Sequence, residues 1–234
     1  MVAAEAGHEE CVRALAPLSD TSLRNSNGMT ALLLAVASGH EGAARAMLPW
    51  CDPLLASPSN DSALAKAAVA CSPAFVKFLL PLSDPLTVSG SGVSALGAAL
   101  HHGREDNACV LAPFARPNEA DAFGTTLLMR AAAKGFLGLV RSLLPISDPL
   151  AQNSAGETAL AHAAFSGRVA IVRLLLPVSD ARVRNARDKD AFALAVDWGR
   201  WDVADCLAEF SDPVAVAEAF ARWGRKNALL GRSP

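Results

Sequence analysis

Ser-Asp pairs and five histidines are the groups in this sequence with the most obvious catalytic potential. A serine nucleophile, a histidine base and an orienting aspartate would make a hydrolase, and Ser-Asp stands at Ser19-Asp20, Ser83-Asp84, Ser147-Asp148, Ser179-Asp180 and Ser211-Asp212. These pairs recur at multiples of 32 residues, whereas a nucleophile needs one activated site. Distributed in this way they read as turn residues whose side chains bond their own backbone. His101 and His102 are adjacent, so on a helix they point to different sides and lack the i, i+4 spacing of a helical metal site. Cys11, Cys51, Cys71, Cys109 and Cys206 are odd in number, widely spaced and without a C-x-x-C pair, which indicates neither a disulfide framework nor a zinc site. No glycine-rich phosphate-binding motif occurs. The expectation is therefore a chain that is not an enzyme, with no catalytic residue, no metal, no cofactor and no small-molecule substrate.

Composition narrows the class further. With 234 residues, 52% hydrophobic and 19% charged, the chain buries a substantial core. Its 21 Lys plus Arg nearly balance 23 Asp plus Glu, which removes the bulk electrostatic argument for binding nucleic acid or anionic lipid. No apolar run approaches the roughly 18 residues of a membrane span, and the start lacks a basic segment followed by an apolar one. A soluble, cytoplasmic and monomeric protein is expected, with no nucleic-acid or membrane partner.

The 32-residue spacing extends well beyond Ser-Asp. Alanine occupies one column in all seven copies: Ala3, Ala35, Ala67, Ala99, Ala131, Ala163 and Ala195. With alanine at about a fifth of the chain, chance agreement is on the order of one in a hundred thousand, so the repeat is real. Thr30, Ser62, Ser94, Thr126, Thr158 and Asp190 form a column of residues able to accept from the free N–H groups of a helix's first turn. Gly39, Gly103, Gly135, Gly167 and Gly199 form a column suited to the left-handed conformation that ends a helix. Between them lies a first helix of roughly 9 residues, too short to stand alone. A second helix follows, with Val12, Val76, Val140 and Val172 three residues before Leu15, Leu79, Leu143 and Leu175 on one face. Prolines at 17, 49, 81, 113, 145 and 177 are expected to stop it. Cys11, Cys109 and Cys206 fall in or near second helices, where a thiol is usually a small buried hydrophobe. The invariant alanine sits where paired helices approach most closely. A polar stretch then runs to the next cap as a loop.

Gly28-Met29-Thr30-Ala31-Leu32, Gly39-His40-Glu41 and the copy from Gly156 to Asp180 resemble the ankyrin repeat, and the resemblance covers nearly the whole chain. It implies an all-α, ankyrin-type helix-turn-helix solenoid of about seven 32-residue repeats with atypical terminal caps. Two departures stand out: the family's T-P-L-H becomes T-A-L-x, and each copy is one residue short, with Leu-Leu-Pro-x-Ser-Asp in place of a glycine-containing turn. His8 and His40, after the repeat's glycine, are structural turn residues on this resemblance. One domain over 1–234 is expected, with a partial N-terminal repeat or cap over 1–26, repeats over 27–213, and a C-terminal capping helix and tail over 214–234. Val216, Phe220 and Trp223 keep helical spacing in that last segment, and Arg222, Arg225, Lys226 and Arg232 give it a mildly basic, solvated face.

Stacked repeats create a concave face of first helices and loop tips, and binding residues occupy the columns that stacking leaves free. These columns flank the loop glycine and precede the helix-ending glycine. They include Met29, His101, His102, Phe123, Lys134, Glu157, Phe165, Arg187, Lys189, Asp197 and Trp198. Phe123, Phe165 and Trp198 are large apolar groups where solvent is expected, a typical signature of interface anchors. The function expected is a non-enzymatic protein-protein interaction module that binds a partner protein on its concave face. The alternative is a structural or targeting segment of a larger protein whose activity lies outside this chain.

Overall fold

The structure, a computed structural model, describes residues 1–116 and 118–229, with side chains as far as Trp223. Every first helix beyond the N-terminal copy starts on a side-chain cap. Thr30, Ser62, Ser94, Thr126, Thr158 and Asp190 adopt extended backbone and each accepts from the N–H three residues on, at 2.8 to 3.3 Å. Such a cap contributes about 1 kcal/mol, so helices this short still depend on packing.

Contacts divide the chain into two compact units, residues 1–116 and 117–234. The division follows Ala115-Arg116, a copy from which Ser-Asp is missing. The first unit holds α1 (Val2–Glu5), α2 (Glu9–Leu15), α3 (Ala31–Ala37), α4 (Glu41–Met47), α5 (Ala63–Ala70), α6 (Pro73–Leu79), α7 (Ala95–His101) and α8 (Glu105–Leu111). The second holds α9 (Leu127–Lys134), α10 (Leu137–Leu143), α11 (Ala159–Phe165), α12 (Val169–Leu175), α13 (Ala191–Asp197), α14 (Trp201–Leu207) and α15 (Pro213–Leu229). Among the described residues there is no β-strand, only isolated bridges such as Arg24 with Thr30. The fold is all-α, built of helix-turn-helix repeats.

First helices pack on first helices: α5 lies between α3 and α7, and α11 between α9 and α13. The alanine column sits at these contacts. Ala35, Ala67, Ala99, Ala131, Ala163 and Ala195 have no exposed surface at all, whereas Ala3 of the N-terminal copy is half-buried. The five column glycines that follow the first helices take φ between 66° and 88°. In the copy without that glycine, Cys71 is extended and the chain restarts on a Ser72 cap with Pro73 in the first turn of α6. Asn107 spans the same join, its Nδ2 donating to the carbonyls of Ala68 and Cys71 at 2.9 and 3.0 Å.

The second helices end differently from the expectation that proline stops them. Each α-helix ends at the second residue before the proline, and the chain continues through that proline as one 3-10 turn, Ala16–Leu18 in the first copy. Proline lacks the donor for the α ladder, but its fixed φ suits a tighter turn. Ala208–Phe210 makes the same turn with no proline, so the stop is shared with the aspartate turn beyond it. In that turn the aspartates of Ser-Asp or Cys-Asp accept from the N–H two residues on, at 2.8 to 3.0 Å in six copies. The Ser-Asp pairs are turn residues. Leu15 is a second difference: its column is buried from Met47 to Leu207, yet Leu15 itself is 53% exposed.

Helix α15 occupies most of the segment where a cap is expected. Phe220 meets the rings of Phe192, Trp201 and Trp223 at centroid distances of 6.2 to 6.4 Å. Residues 230–234, Arg232 among them, and the side chains of Arg225 and Lys226 lie outside the described residues.

Because the column alanines are fully buried where first helices pack on each other, replacing Ala99 or Ala131 by Leu is expected to destabilise the protein by about 1 to 3 kcal/mol through overpacking. Urea unfolding of each variant beside the parent measures this, and parental stability at both sites would mean that the helices do not meet there.

Candidate functional site

In the first unit, the exposed sides of α3, α5 and α7 form a groove of about 290 Å³ that includes Ala37, Asp61, Lys66, Val69, Ala70 and His102. Lys66 pairs with Asp61 at 3.2 Å. His101 and His102 lie edge to face with centroids 5.1 Å apart, both exposed. Met29 is half-buried in its loop, its N–H held by the Asn25 Oδ1 at 2.9 Å.

The second unit places the remaining candidates, and its loops are fixed by one recurring device. Asp121, Asn153 and Asn185 each turn a side-chain oxygen back to accept two N–H groups two and four residues on. The donors are Phe123 and Thr125, Ala155 and Glu157, and Arg187 and Lys189, all at 2.9 to 3.1 Å. Successive loops are then tied by backbone, Ser154 N–H to the Phe123 carbonyl and Ala186 N–H to the Ala155 carbonyl, each 2.8 Å. Phe123 stands 71% exposed at a loop tip, and among the described residues it meets no other ring.

Phe165 closes α11 and Trp198 follows α13. Their rings pack edge to face with centroids 4.5 Å apart, an interplanar angle of 67° and exposures of 39% and 57%. Edge-to-face contact suits the ring quadrupoles. Arg200 fixes the pair from behind, its Nε donating to the Phe165 carbonyl at 3.4 Å. It reaches that carbonyl across Gly167, where a Cβ would come within 2.9 Å of the Arg200 side chain. Lys189 pairs with Asp197 beside them. Of the expected set, the structure thus joins Phe165 to Trp198, Lys189 to Asp197 and the adjacent His101 to His102. Glu157 is half-buried, while Lys134 and Arg187 are exposed.

One column of candidates escaped the sequence reading. Four residues after the cap stand Lys66, Arg130 and His162, all half-buried on first helices. The signal was there, a column carrying three basic or titratable side chains where Leu34, Ala98 and Leu194 stand in the other copies. The His162 Nε2 lies 3.5 Å from the Glu157 carboxylate and 3.3 Å from the Asn153 Nδ2. Burial pushes the imidazole pKa below its ordinary 6.5, outweighing the upward pull of Glu157 and Asp121. The Arg130 Nε is shielded from solvent and has no hydrogen-bond partner.

Burial pushes the thiols of Cys51 and Cys71 up to about 11, and a thiolate is what a cysteine nucleophile requires. Among the described residues no three His, Cys, Asp or Glu side chains gather as a metal site, and no helix is long and apolar enough to cross a membrane.

A family model for ankyrin repeats in three copies matches residues 1–56, 98–188 and 128–216. The chain belongs to the ankyrin repeat family. Among solved structures, it is similar to the ankyrin repeat domain of Bcl-3, a member of the IkappaB protein family. The TM-score is 0.71 at 23% identity, covering 88% of this chain and 96% of that one. A chain in the complex of the predatory endopeptidase Bd0816 of Bdellovibrio bacteriovorus with the immunity protein Bd3460 matches with a TM-score of 0.69 at 24% identity. That match covers 81% of this chain and all of the other. No curated protein matches the sequence.

His162 gives this ankyrin chain a pH dependence with a definite sign. Its folded pKa is lowered, so its stabilising contribution is complete above the unfolded value of 6.5. As pH falls below that value toward the folded pKa, the unfolded chain takes the proton first and stability drops. Urea unfolding at about pH 7.5 and 5.5 is expected to show this loss, and His162→Gln is expected to reduce it.

Proposed function

We propose that this ankyrin chain is a non-enzymatic interaction module that binds a partner protein on the concave, first-helix face, and that Phe165 and Trp198 are its anchors in the second unit. The observation that carries the reading is the aromatic pair itself. Two large rings from successive repeats pack against each other and remain 39% and 57% exposed, and apolar surface held rigidly in water is what interface hot spots are made of. Lys189, Asp197, Glu157 and Arg187 surround the pair as a polar rim, Lys134 extends it along α9, and Phe123 contributes from its loop tip. In the first unit Met29, His101 and His102 offer a separate contact region beside the groove on α3, α5 and α7. Ankyrin repeat domains generally mediate protein-protein interaction, and one structural neighbour comes from a complex of two proteins. Five free thiols, Cys11 exposed among them, favour a reducing compartment such as the cytoplasm.

Replacing Phe165 and Trp198 by alanine is expected to weaken partner binding by at least about tenfold each, since such anchors commonly contribute about 2 kcal/mol. Melting temperatures are expected to stay within a few degrees of the parent, because the rings pack chiefly on each other and keep 39% and 57% of their surface in water. Affinity capture from native lysate with the parent and with the double variant, each quantified by mass spectrometry, measures the first effect and a thermal melt the second. Identical capture by both proteins, or unfolding of the variant, would place the binding surface elsewhere.

A further inference from the structure

The cations on the first-helix side of the molecule are mostly engaged. Lys66 has Asp61, Lys189 has Asp197 and Arg184 has Asp188. Arg130 on α9 differs. Among the described residues no carboxylate lies within ion-pair distance of it, and its Nε is buried without an acceptor. The acids of the same repeats are already occupied: Asp121 by the N–H groups of Phe123 and Thr125, Glu157 by His162 and the Asn185 Nδ2. The Nε is out of a ligand's reach, but the Nη groups are not among the shielded atoms, and a half-buried guanidinium with no carboxylate of its own can take an incoming one there as a two-bonded, charge-assisted pair.

The surroundings define what else such a ligand must carry. Arg130 on α9 and His162 on α11 hold the same position in adjacent repeats, and those helices pack on each other. Phe165 lies one turn beyond His162 and rests on Trp198. Neighbouring helix axes lie about 8 to 10 Å apart, so guanidinium and ring pair are separated by roughly 10 Å, which an extended peptide covers in about three residues. Beyond the ring pair, a groove by α13 and α15 is lined by Asp188, Asp190, Asp212 and Glu218 together with Arg184 and Arg222, which pair with Asp188 and Glu218.

From this juxtaposition we infer that the partner presents an acidic, apolar peptide segment: an Asp or Glu carboxylate binds Arg130 while an apolar side chain about three residues away packs on Phe165 and Trp198. The inference rests on the aromatic face proposed above and adds the chemistry of its ligand.

Random twelve-residue peptides displayed on phage, selected on the full chain, test it. Selected sequences are expected to place Asp or Glu two to four residues from an aromatic or large aliphatic residue. Arg130→Met is expected to weaken a synthesised winner at least about tenfold with a melting temperature equal to or above the parent's, because the unpartnered Nε is gone. Arg130→Glu is expected to select Lys or Arg at the position of the acid. Absence of enriched acidic sequences, unchanged binding by Arg130→Met, or a clear fall in its melting temperature overturns the inference. The Phe165→Ala, Trp198→Ala double variant separates the two proposals. Binding lost there but kept in Arg130→Met leaves the aromatic face standing without the carboxylate. Binding kept there but lost in Arg130→Met retains the carboxylate site and removes the aromatic anchors.

Discussion

One methyl group per repeat sets the geometry of both units. The column from Ala35 to Ala195 is fully enclosed, and a side chain no larger than Cβ lets neighbouring first helices approach closely enough for the Leu and Val columns behind them to interdigitate. Everything exposed depends on that spacing. The loops meet at backbone hydrogen-bond distance, as Ser154 does with Phe123 and Ala186 with Ala155, and arginines reach from one repeat to the carbonyls of the one before. Arg104 does so to Cys71, Arg168 to Ala133 and Arg200 to Phe165. A wider stack would break these links together.

The division between core and surface columns was legible because burial is periodic. Thr30, Ala35, Gly39 and Val12 read correctly from their copies alone, since each residue type answers one local demand: a cap, a close contact, a left-handed φ, a buried stripe. Where a second solution satisfies the same demand, the pattern was less informative. Asn60 and Asp188 take φ of 57° and 58° in the column that holds glycine elsewhere, because short polar side chains tolerate that conformation. Cys71 with Ser72 and Pro73 replaces a glycine turn by a fresh cap. The 3-10 turn through each proline was not legible as such, since proline announces only that the α ladder stops.

The candidate site was harder to read than the fold. Exposure of Phe123, Phe165 and Trp198 followed from their columns, yet the contact between Phe165 and Trp198 and the isolation of Phe123 depend on rotamers and loop direction that spacing does not encode. Arg130 and His162 sit, with Lys66, in a column that is apolar in three other copies, so a reading by column averages them into the core. What distinguishes them is the supply of partners around each, Glu157 and Asn153 for His162 and none for the Arg130 Nε. That is a property of three dimensions.

The aromatic pair is assembled from two consecutive copies, with Arg200 of the later one bonded to the carbonyl of Phe165 in the earlier. The unit of inheritance for the fold is therefore one copy of 32 residues, while the unit for the pair is a junction between two. Recombination that removes or duplicates whole copies keeps most caps, alanine contacts and turns, since these interfaces recur in most copies. The same event can create or erase an aromatic junction in a single step. A chain built this way can change what it recognises by shuffling neighbours, at little cost to its ability to fold.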